Sequence, residues 1–369
     1  MEEWKKVKLG EVCDFIAGFA FKANDFGNYS SKVIKIGDIN PPYVNFATMI
    51  GVDMSNYDRE KLQRYEVCYD DFVLAMTGAT IGKVGRYIEK TPAYLNQRVL
   101  LFRPFAAQNK YIYHLVCSES FHKYVINHID SESAQPNISA ATIGKYEFYL
   151  PPLSIQERIA NILSSLDDKL ECNRRINDNL EQQAIDLFDY MFPSITTGNY
   201  KIGDWLKPKR GIGLLTKDTI LGDVPVVAGG LRPAAYHNKA NTLSPVVTIS
   251  ASGANAGYVA LWNKPVWSSD SSYIDPSLTP DVYFWYVMLK KRQKEIFDAQ
   301  TGSAQPHIYP QHIAELPIKQ LENEQIIKYT EQVTPLFKMI GDTTEENVKL
   351  AQLRDTLLPK LMSGELKIS

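Results

Sequence analysis

Apolar residues in the segment 155–191 recur at alternating steps of three and four positions, the seven-residue period of a coiled coil. The pattern predicts one long helix, about 55 Å in length at 1.5 Å per residue, which Pro193 and Gly198 then end. Two seam positions, Asn173 and Asn177, are polar, and such residues fix the register of packed helices at a cost in stability. The predicted seam consists of Ile159, Leu163, Leu166, Leu170, Asn173, Asn177, Leu180, Ala184, Leu187 and Met191.

A second and less regular seam predicts another long helix over residues 323–358. Pro335 and Gly341 are expected to bend this helix, and Pro359 with Gly364 to end it. Two long amphipathic rods in one chain most simply pack on each other in antiparallel orientation. Two unrelated core helices are the alternative. The second seam consists of Ile326, Thr330, Val333, Phe337, Ile340, Thr344, Asn347, Ala351, Arg354 and Leu358.

Short runs of β-branched residues bounded by Gly, Pro, Asn or Asp indicate strands before the first rod and again between the rods. Helical stretches follow the strands in both parts, at 111–126 and 282–297. The chain is therefore expected to have an α+β fold, with a twisted, mostly antiparallel sheet in each part. The predicted strands cover residues 33–36, 73–76, 99–102, 224–227 and 246–249.

Internal repeats indicate that these two parts are copies of one unit. The tetrapeptide Ser-Ala-Gln-Pro at 133–136 recurs at 303–306, and each copy is followed two residues later by an isoleucine. Two weaker matches precede it in the same order in both copies. Residues 77–82 resemble 251–257 in the spacing of two glycines, and residues 8–11 resemble 201–204.

The repeats and the rods together predict four segments. Two copies of an α+β domain are expected at 1–150 and 196–320, and each is followed by a segment that carries one long helix, at 151–195 and 321–369. This gives two tandem α+β domains, separated by two long helices that form an antiparallel coiled coil.

Composition limits the class of protein. The chain has 369 residues, 44% of them hydrophobic and 22% charged, which is typical of a globular protein of two or three domains. No run of about 18 apolar residues occurs, so neither a membrane span nor secretion is expected and a cytoplasmic location is favoured. The four cysteines form no CxxC pair, which argues against a disulfide framework or a zinc site.

The charge balance limits how the chain could bind nucleic acid. Lys and Arg number 40 against 42 Asp and Glu, and the net charge of −2 provides no global attraction for a polyanion. DNA binding would therefore depend on local basic patches, although such patches are often only solvated surface. The patches lie at residues 5–8, 207–210 and 290–294.

One tetrapeptide has the residue types of a catalytic motif. Asn40-Pro41-Pro42-Tyr43 is the sequence with which amino methyltransferases hold an exocyclic amine against the methyl donor. Such enzymes also need a glycine-rich cofactor loop, and the nearest approximation, residues 14–18, lacks the second glycine. A Pro-Pro pair after a strand is explained equally well by a turn.

Other catalytic patterns are incomplete. Gly82-Lys83 lacks the first glycine and the final Ser or Thr of a phosphate-binding loop. The six histidines have no metal-ligand spacing, and the serine-rich segment 267–272 has no nucleophile elbow. We therefore expect no catalytic residue and no metal site on this chain.

Two segments resemble the conserved regions of the specificity subunits of type I restriction-modification systems. One is Leu-Pro-Pro-Leu-Ser-Ile-Gln-Glu-Arg-Ile at 150–159, at the start of the first rod, and the other is residues 353–366 at the end of the second. Residues 77–84 and 94–97 are also similar to segments of the recognition domains of that family. In the second copy, Ser268-Ser269-Asp270 stands where Asn96 and Gln97 would fall, which puts a contact role for those residues in doubt or indicates that the copies read different sequences.

The resemblance implies a division of labour among subunits. Two target recognition domains would each read one half of a split double-stranded DNA sequence, and the helices would set the distance between the halves. Methyltransferase (M) subunits would bind S-adenosylmethionine, and restriction (R) subunits would use ATP and Mg²⁺. This chain would bind no cofactor itself.

The residues expected to contact DNA are polar or basic and lie in loop-like, glycine-rich segments. An ordinary exposed position is the alternative for each of them. The rival functions are a self-sufficient adenine methyltransferase that uses Asn40 and a coiled-coil adaptor that binds only protein. The expected DNA-binding residues are Lys22, Asn24, Lys83, Arg86, Arg98, Lys207, Lys209, Arg210, Arg232, Asn238, Lys239 and Asn255.

Overall fold

The computed structural model describes residues 4–130, 136–302 and 306–366. The chain divides into two compact units, one formed by residues 1–169 with 350–369 and the other by residues 170–349. Each unit contains one of the two copies together with a stretch of both long helices. The architecture is the α+β class that the strand and helix patterns predict.

The first unit is built around a sheet with the strand order β2-β11-β8-β9-β5-β4, beside a second sheet of order β6-β3-β10-β7 and the pair β1-β12. The strands are β1 (Lys5–Lys8), β2 (Cys13–Ala17), β3 (Phe26–Ile34), β4 (Ile39–Asn40), β5 (Tyr43–Val44), β6 (Ile50–Val52), β7 (Glu66–Val67), β8 (Phe72–Ala75), β9 (Val84–Arg86), β10 (Ala93–Leu95), β11 (Val99–Pro104) and β12 (Glu147–Leu150). The helices are α1 (Arg59–Leu62), α2 (Asn109–Val116), α3 (Glu119–Asn127), α4 (Ala140–Gly144) and α5 (Leu153–Met191).

The central strand β8 shows why its sequence is continuously apolar. Phe72 and Leu74 point into a core that is shared with α2 and α3, whereas Val73 and Ala75 point into a separate core on the other face of the sheet. Successive side chains of a strand alternate between faces, so a strand covered on both sides must be apolar throughout. Burial of each larger side chain stabilises the unit by about 1.5–3 kcal/mol.

The second unit has a sheet of order β14-β20-β17-β18 and another of order β16-β15-β19, with the pair β13-β21. The strands are β13 (Tyr200–Lys201), β14 (Lys209–Arg210), β15 (Val224–Val227), β16 (Ala235–His237), β17 (Val246–Ser250), β18 (Val259–Trp262), β19 (Trp267–Ser268), β20 (Ser271–Ile274) and β21 (Pro317–Ile318). The helices are α6 (Val282–Lys291), α7 (Gln293–Asp298), α8 (Pro310–Ala314) and α9 (Asn323–Met362).

The structure corrects three local predictions. Each copy contains more than one sheet, and β10 pairs with β3, and β19 with β15, in parallel orientation. The helix predicted over 111–126 is two helices, because Ser118 caps α3 by accepting a hydrogen bond from the backbone N–H of Phe121. The helix predicted over 282–297 likewise divides at Arg292, whose buried guanidinium donates to the Pro317 carbonyl at 2.6 Å.

The long helices correspond closely to the two predicted rods, but α9 continues past Pro335 and Gly341 and ends only at Met362. Leu361 is buried in the core of the first unit, so tertiary packing holds the last turn helical beyond Pro359. Gly341 allows a close approach, because a Cβ there would lie 2.7 Å from Cβ of Asn263. The predicted end of the helix at Leu358 was therefore wrong by one turn.

The helices α5 and α9 pack in antiparallel orientation within the second unit. The Tyr329 hydroxyl donates to the Ala184 carbonyl at 2.9 Å, and the Asn173 amide donates to Asn347 Oδ1, also at 2.9 Å. As positions rise along α9, their partners on α5 fall, which confirms the predicted orientation. Asn173 is fully buried and also donates to Glu346 Oε2 at 2.6 Å, so the polar seam position forms specific contacts between the helices.

The seam positions differ in how far they are covered. The buried members are Ile159, Leu163, Asn173, Ala184, Ile326, Val333 and Phe337. The half-buried members are Leu166, Leu170, Asn177, Leu180, Leu187, Met191, Thr330, Ile340, Asn347, Ala351, Arg354 and Leu358, and Thr344 is exposed.

Candidate nucleic-acid interface

In the first copy, three loop segments meet at the end of β8. The backbone N–H of Met76 donates to the Arg98 carbonyl at 3.0 Å, and the N–H of Ile138 donates to the Met76 carbonyl, also at 3.0 Å. The N–H of Gly78 donates to the Pro136 carbonyl at 3.2 Å. We call the residues 77–83, 96–98 and 136–137 the first edge.

The second copy repeats this hydrogen-bond framework. The N–H of Ala251 donates to the Asp270 carbonyl at 3.1 Å, that of Ile308 to the Ala251 carbonyl at 2.9 Å, and that of Gly253 to the Pro306 carbonyl at 3.1 Å. We call the residues 252–257, 268–270 and 306–307 the second edge. The two Ser-Ala-Gln-Pro repeats contribute Pro136 and Pro306, whereas residues 133–135 and 303–305 lie outside the described part of the chain.

Glycines shape the loop of each edge. Gly78 and Gly82 have φ angles of +72° and +80°, and Gly253 and Gly257 have φ angles of +80° and +87°. Side chains rarely adopt this left-handed conformation, which explains why the spacing of the two glycines recurs in both copies. An equivalent backbone hydrogen bond also holds the start of each copy. Leu9 N–H donates to the Tyr146 carbonyl in the first copy, and Ile202 N–H donates to the Leu316 carbonyl in the second.

The side chains that the two edges carry are different. The first edge exposes Lys83, Gln97 and Arg98. The second edge carries Ser269 and Asp270 at the positions of Gln97 and Arg98, because Met76 and Ala251 bond to Arg98 and Asp270 in the same way. One backbone framework with different polar side chains is the arrangement expected of two modules that read different sequences.

The other predicted residues of the first copy lie elsewhere. Lys22 and Asn24 are exposed on a separate turn. The backbone N–H of Lys22 anchors this turn by donating to the Tyr57 hydroxyl at 2.9 Å. Arg86 is only 7% exposed, and its guanidinium lies 3.5 Å from Asp168 and 3.6 Å from Asp70. The interior position and acidic neighbours of Arg86 argue against its prediction as a DNA contact.

In the second copy, Arg210 and Asn255 lie at or beside the second edge. Arg210 Nη2 is 2.6 Å from Asp270 Oδ1, and Asn255 Nδ2 donates to the Gly229 carbonyl at 3.4 Å. Lys207 donates to Gln311 Oε1 at 2.9 Å, and Lys209 lies next to Arg210 on β14. The remaining predicted residues are exposed on the loops around β16: Arg232, Asn238 and Lys239.

Sequence reasoning did not select Asp270 or Ser252 as candidate contacts, although it placed Ser268-Ser269-Asp270 where Asn96 and Gln97 would fall. The Ser252 hydroxyl donates to Asp270 Oδ2, so serine and arginine hold the two carboxylate oxygens. The detectable signal was the repeat itself, since continuing the alignment of the two copies places Asp270 opposite Arg98.

Sequence reasoning also missed a buried ionic cluster in the first unit. Asp167 on α5 accepts a hydrogen bond from Arg354 on α9 at 3.1 Å, and its carboxylate is 3.9 Å from His114 Nδ1 on α2. His114 Nε2 is also 3.2 Å from the Ser164 hydroxyl. Together with the Arg86 and Asp168 pair, these contacts tie the first copy to both long helices.

Acidification is expected to destabilise the chain through His114. Burial, followed by the cations Arg86, Arg354 and Lys110, lowers the pKa of His114 from 6.5 to about 3. Between these values the unfolded chain binds a proton that the folded chain excludes, so this contribution to stability is complete above about pH 6.5 and is lost as the pH falls towards 3. At pH 5 the free energy of unfolding should be lower by about 2 kcal/mol, at about 1.4 kcal/mol per pKa unit.

Urea unfolding of the wild type and of His114→Gln at about pH 7.5 and pH 5 measures this effect. Burial is the largest cause of the raised pKa of Asp167, so this residue changes the free energy of unfolding with pH in the opposite sense to His114. Asp167 is present in both proteins. The wild type should therefore lose about 2 kcal/mol more than His114→Gln between the two pH values. An equal loss in both proteins would show that His114 does not exclude the proton.

The tetrapeptide that resembles a methyltransferase motif forms a hairpin turn. Asn40 at the end of β4 pairs with Tyr43 at the start of β5, and the Pro42 carbonyl accepts a hydrogen bond from the backbone N–H of Arg86 at 2.9 Å. This geometry corresponds to the turn that a Pro-Pro pair predicts.

Two kinds of feature are absent from residues 4–130, 136–302 and 306–366. These residues contain no group of three or more His, Cys, Asp or Glu side chains that could hold a metal ion. No helix among them is both long enough and apolar enough to span a bilayer.

Residues 1–182 match the family model of the type I restriction modification DNA specificity domain. The chain is 25% identical over 348 residues to the type I restriction enzyme MjaIX specificity subunit of Methanocaldococcus jannaschii, a match that covers 80% of this chain and 78% of that protein. It is 29% identical over 191 residues to the MjaVIII specificity subunit of the same organism, which covers 49% of this chain and 43% of that protein.

A solved structure shares the fold. The crystal structure of the type I restriction-modification system S subunit from M. genitalium superposes on this chain with a TM-score of 0.60 at 17% sequence identity. The match covers 99% of this chain and 97% of the other. At this identity the likeness concerns the fold alone, and it includes both copies and both long helices.

Proposed function

We infer that the chain belongs to the specificity subunits of type I restriction-modification systems, and that it is the non-catalytic subunit that selects the DNA target of such a complex. Each copy would read one half of a bipartite double-stranded sequence. The observation that carries this proposal is the repeated framework of the first and second edges, which holds different side chains in the same backbone positions.

We assign four segments to this function. Residues 1–150 and 196–320 would be the two target recognition domains. Residues 151–195 and 321–369 carry α5 and α9, which would set the gap between the half-sites and dock the methyltransferase and restriction subunits. Those partners would supply S-adenosylmethionine, ATP and Mg²⁺ chemistry, and this chain would hold none of these groups.

The charge of the chain is consistent with shared DNA binding. With a net charge of −2, the subunit provides little of the general attraction to phosphate that dominates non-specific affinity. Partner subunits would supply much of that attraction, while the edges contribute base readout. We therefore keep the exposed Lys83, Arg98 and Arg210 and the half-buried Asn255 as the central contacts, and we omit Arg86 because it is buried.

The direct test is to express the full chain in cells together with a compatible methyltransferase partner and to sequence the methylated bases. A new motif made of two short sequences separated by a fixed gap is expected. Cells that express the partner with an unrelated specificity subunit provide the control. Methylation at a single continuous motif, or an unchanged methylation pattern in the presence of a folded complex, would contradict the proposal.

The substitution Asn40→Ala is expected to leave methylation by the assembled complex within about twofold of the wild type. In a catalytic site this asparagine would position the target amine, and its loss would cost several powers of ten in turnover. Here it lies in the turn between β4 and β5 and is exposed. Single-turnover methylation rates measure the effect.

The matched control for this substitution is Asn45→Ala, a nearby asparagine whose side chain caps a short helical turn by accepting from Ala47 N–H at 3.1 Å. Both variants should assemble and bind DNA. Abolished methylation by Asn40→Ala alone, with DNA affinity and assembly unchanged, would favour the self-sufficient methyltransferase.

A further inference from the structure

The second edge carries a carboxylate where the first edge carries a guanidinium. Leu100 pairs with Ala17 in the first copy, and Ser272 pairs with Arg210 in the second. The copies are therefore in register on both strands, and Arg210 takes the place of Ala17 just as Asp270 takes the place of Arg98. Each copy thus places one arginine at or beside its edge, Arg98 just before β11 in the first copy and Arg210 on β14 in the second.

The orientation of the Arg210 guanidinium is restrained by the Asp270 carboxylate. Its Nη2 lies 2.6 Å from Asp270 Oδ1, and the other oxygen of that carboxylate accepts from the Ser252 hydroxyl. The backbone N–H of Gly211 donates to the Ser271 carbonyl at 2.9 Å, which keeps β14 against β20. The side chains of Arg210 and Asp270 are 41% and 39% exposed, so the restrained guanidinium remains accessible.

We propose that Arg210 reads a guanine in the second half-site and that Asp270 is the positioning residue that orients its guanidinium. This assignment rests on the proposed function in DNA selection. A guanidinium has five N–H donors in one plane, and Asp270 uses one of them. The remaining donors form the fork that binds guanine O6 and N7 in the major groove.

The adjacent carboxylate distinguishes a base contact from a phosphate contact. A phosphate placed against Arg210 would also approach the negative charge of Asp270, and like charges at such distances repel. The edge of guanine carries no net charge and requires a defined donor orientation, which a carboxylate on one side of the guanidinium provides. The pair therefore suits base readout better than general attraction to the DNA backbone.

The experiment uses the full chain assembled with its methyltransferase partner. Sequencing of methylated bases first defines the wild-type target, and methylation rates are then measured on duplexes that carry each of the four bases at every position of the second half-site. The variants are Asp270→Asn, which keeps the shape but loses the charge, and Arg210→Lys, which keeps the charge but loses the fork. Glu315→Gln is the matched control, because Glu315 forms another exposed ion pair in the same unit, with Lys201.

The wild type should require guanine at one position of the second half-site. Both Asp270→Asn and Arg210→Lys should reduce discrimination at that position by roughly 5- to 150-fold, the range typical of one bidentate base contact. The first half-site and the gap should not change, and Glu315→Gln should behave as the wild type. Thermal melting of each complex establishes that the variants are folded.

Three results would overturn the assignment. The first is a uniform loss of rate on all duplexes, which indicates a phosphate contact or a structural role. The second is intact discrimination in both variants, and the third is a wild-type second half-site without a guanine requirement. A folded wild-type complex that methylates no split motif would contradict the proposed function itself, so the two failures are distinguishable.

Discussion

Replacement of the first recognition domain by that of a related specificity subunit is expected to change one half of the DNA target and leave the other half intact. The first copy has its own sheets and cores, and its edge is assembled from its own loops. The second edge is built entirely from residues of the second unit, so its contacts should persist after the exchange. Sequencing of methylated bases reports both halves in one measurement.

The structure indicates where the exchange should be made. Strand β1 pairs with β12 up to Leu150, so the junction belongs after Pro152 and before α5 begins at Leu153. Ile159 and Leu163 on α5 belong to the core of the first unit and stay in place. A relative with matching residues at these two positions is therefore the appropriate donor.

A second exchange provides the control for the first. Replacement of residues 196–320 should change only the half of the motif that the first exchange left intact. If either exchange changed both halves in a folded complex, the two domains would read the DNA jointly, and the repeat would reflect architecture alone.

Much of the fold could be predicted because the strands and helices carry strong periodic signals. The strand predicted at 224–227 is β15, residue for residue, because its β-branched run is bounded by turn residues. The break between α2 and α3 was also readable, since Ser118 is a standard helix cap. The break at Arg292 has no such side-chain cap, and the contact observed there, from the Arg292 guanidinium to the Pro317 carbonyl, joins residues 25 positions apart in the chain.

The candidate site was less predictable because burial of a charged side chain depends on distant residues. Lys83 and Arg86 are both basic and lie close together in sequence, yet Lys83 is exposed and Arg86 is buried beside Asp168 on α5. No local pattern distinguishes the two. The equivalence of Arg98 and Asp270, in contrast, follows from the repeat and required only that the alignment be continued.

Lengthening both long helices by one heptad is expected to increase the preferred gap between the half-sites by about three base pairs. The seam repeats every seven residues, so a heptad added at matching heights preserves the packing of α5 on α9. Asn173 and Asn347 form a hydrogen bond in the second unit, so they identify one pair of matching insertion positions on the two helices. Seven residues add about 10 Å of helix, and one base pair spans about 3.4 Å of duplex.

The added length also changes the rotation between the half-sites. Three base pairs turn the duplex by about 100°, because about 10.5 base pairs complete one turn. The DNA must then twist or bend to meet both edges, at a cost of several kcal/mol, so weaker binding is expected at the longer gap. Duplexes whose gap varies by one base pair at a time give the optimum from affinity and methylation rate.

Insertion of the heptad into α5 alone is the matched control for this prediction. The contacts of Asn173 with Asn347 and of Asn177 with Thr344 would then be shifted by one heptad relative to the contacts further along the helices. The seven inserted residues would have no partners on α9 and must form a loop. The single insertion should therefore lower thermal stability without moving the optimal gap to a new defined value. The double insertion should melt close to the wild type, because its seam is continuous.

If a folded and active double insertion kept the original gap as its optimum, the helices would not set the spacing, and their role would be limited to the docking of partner subunits.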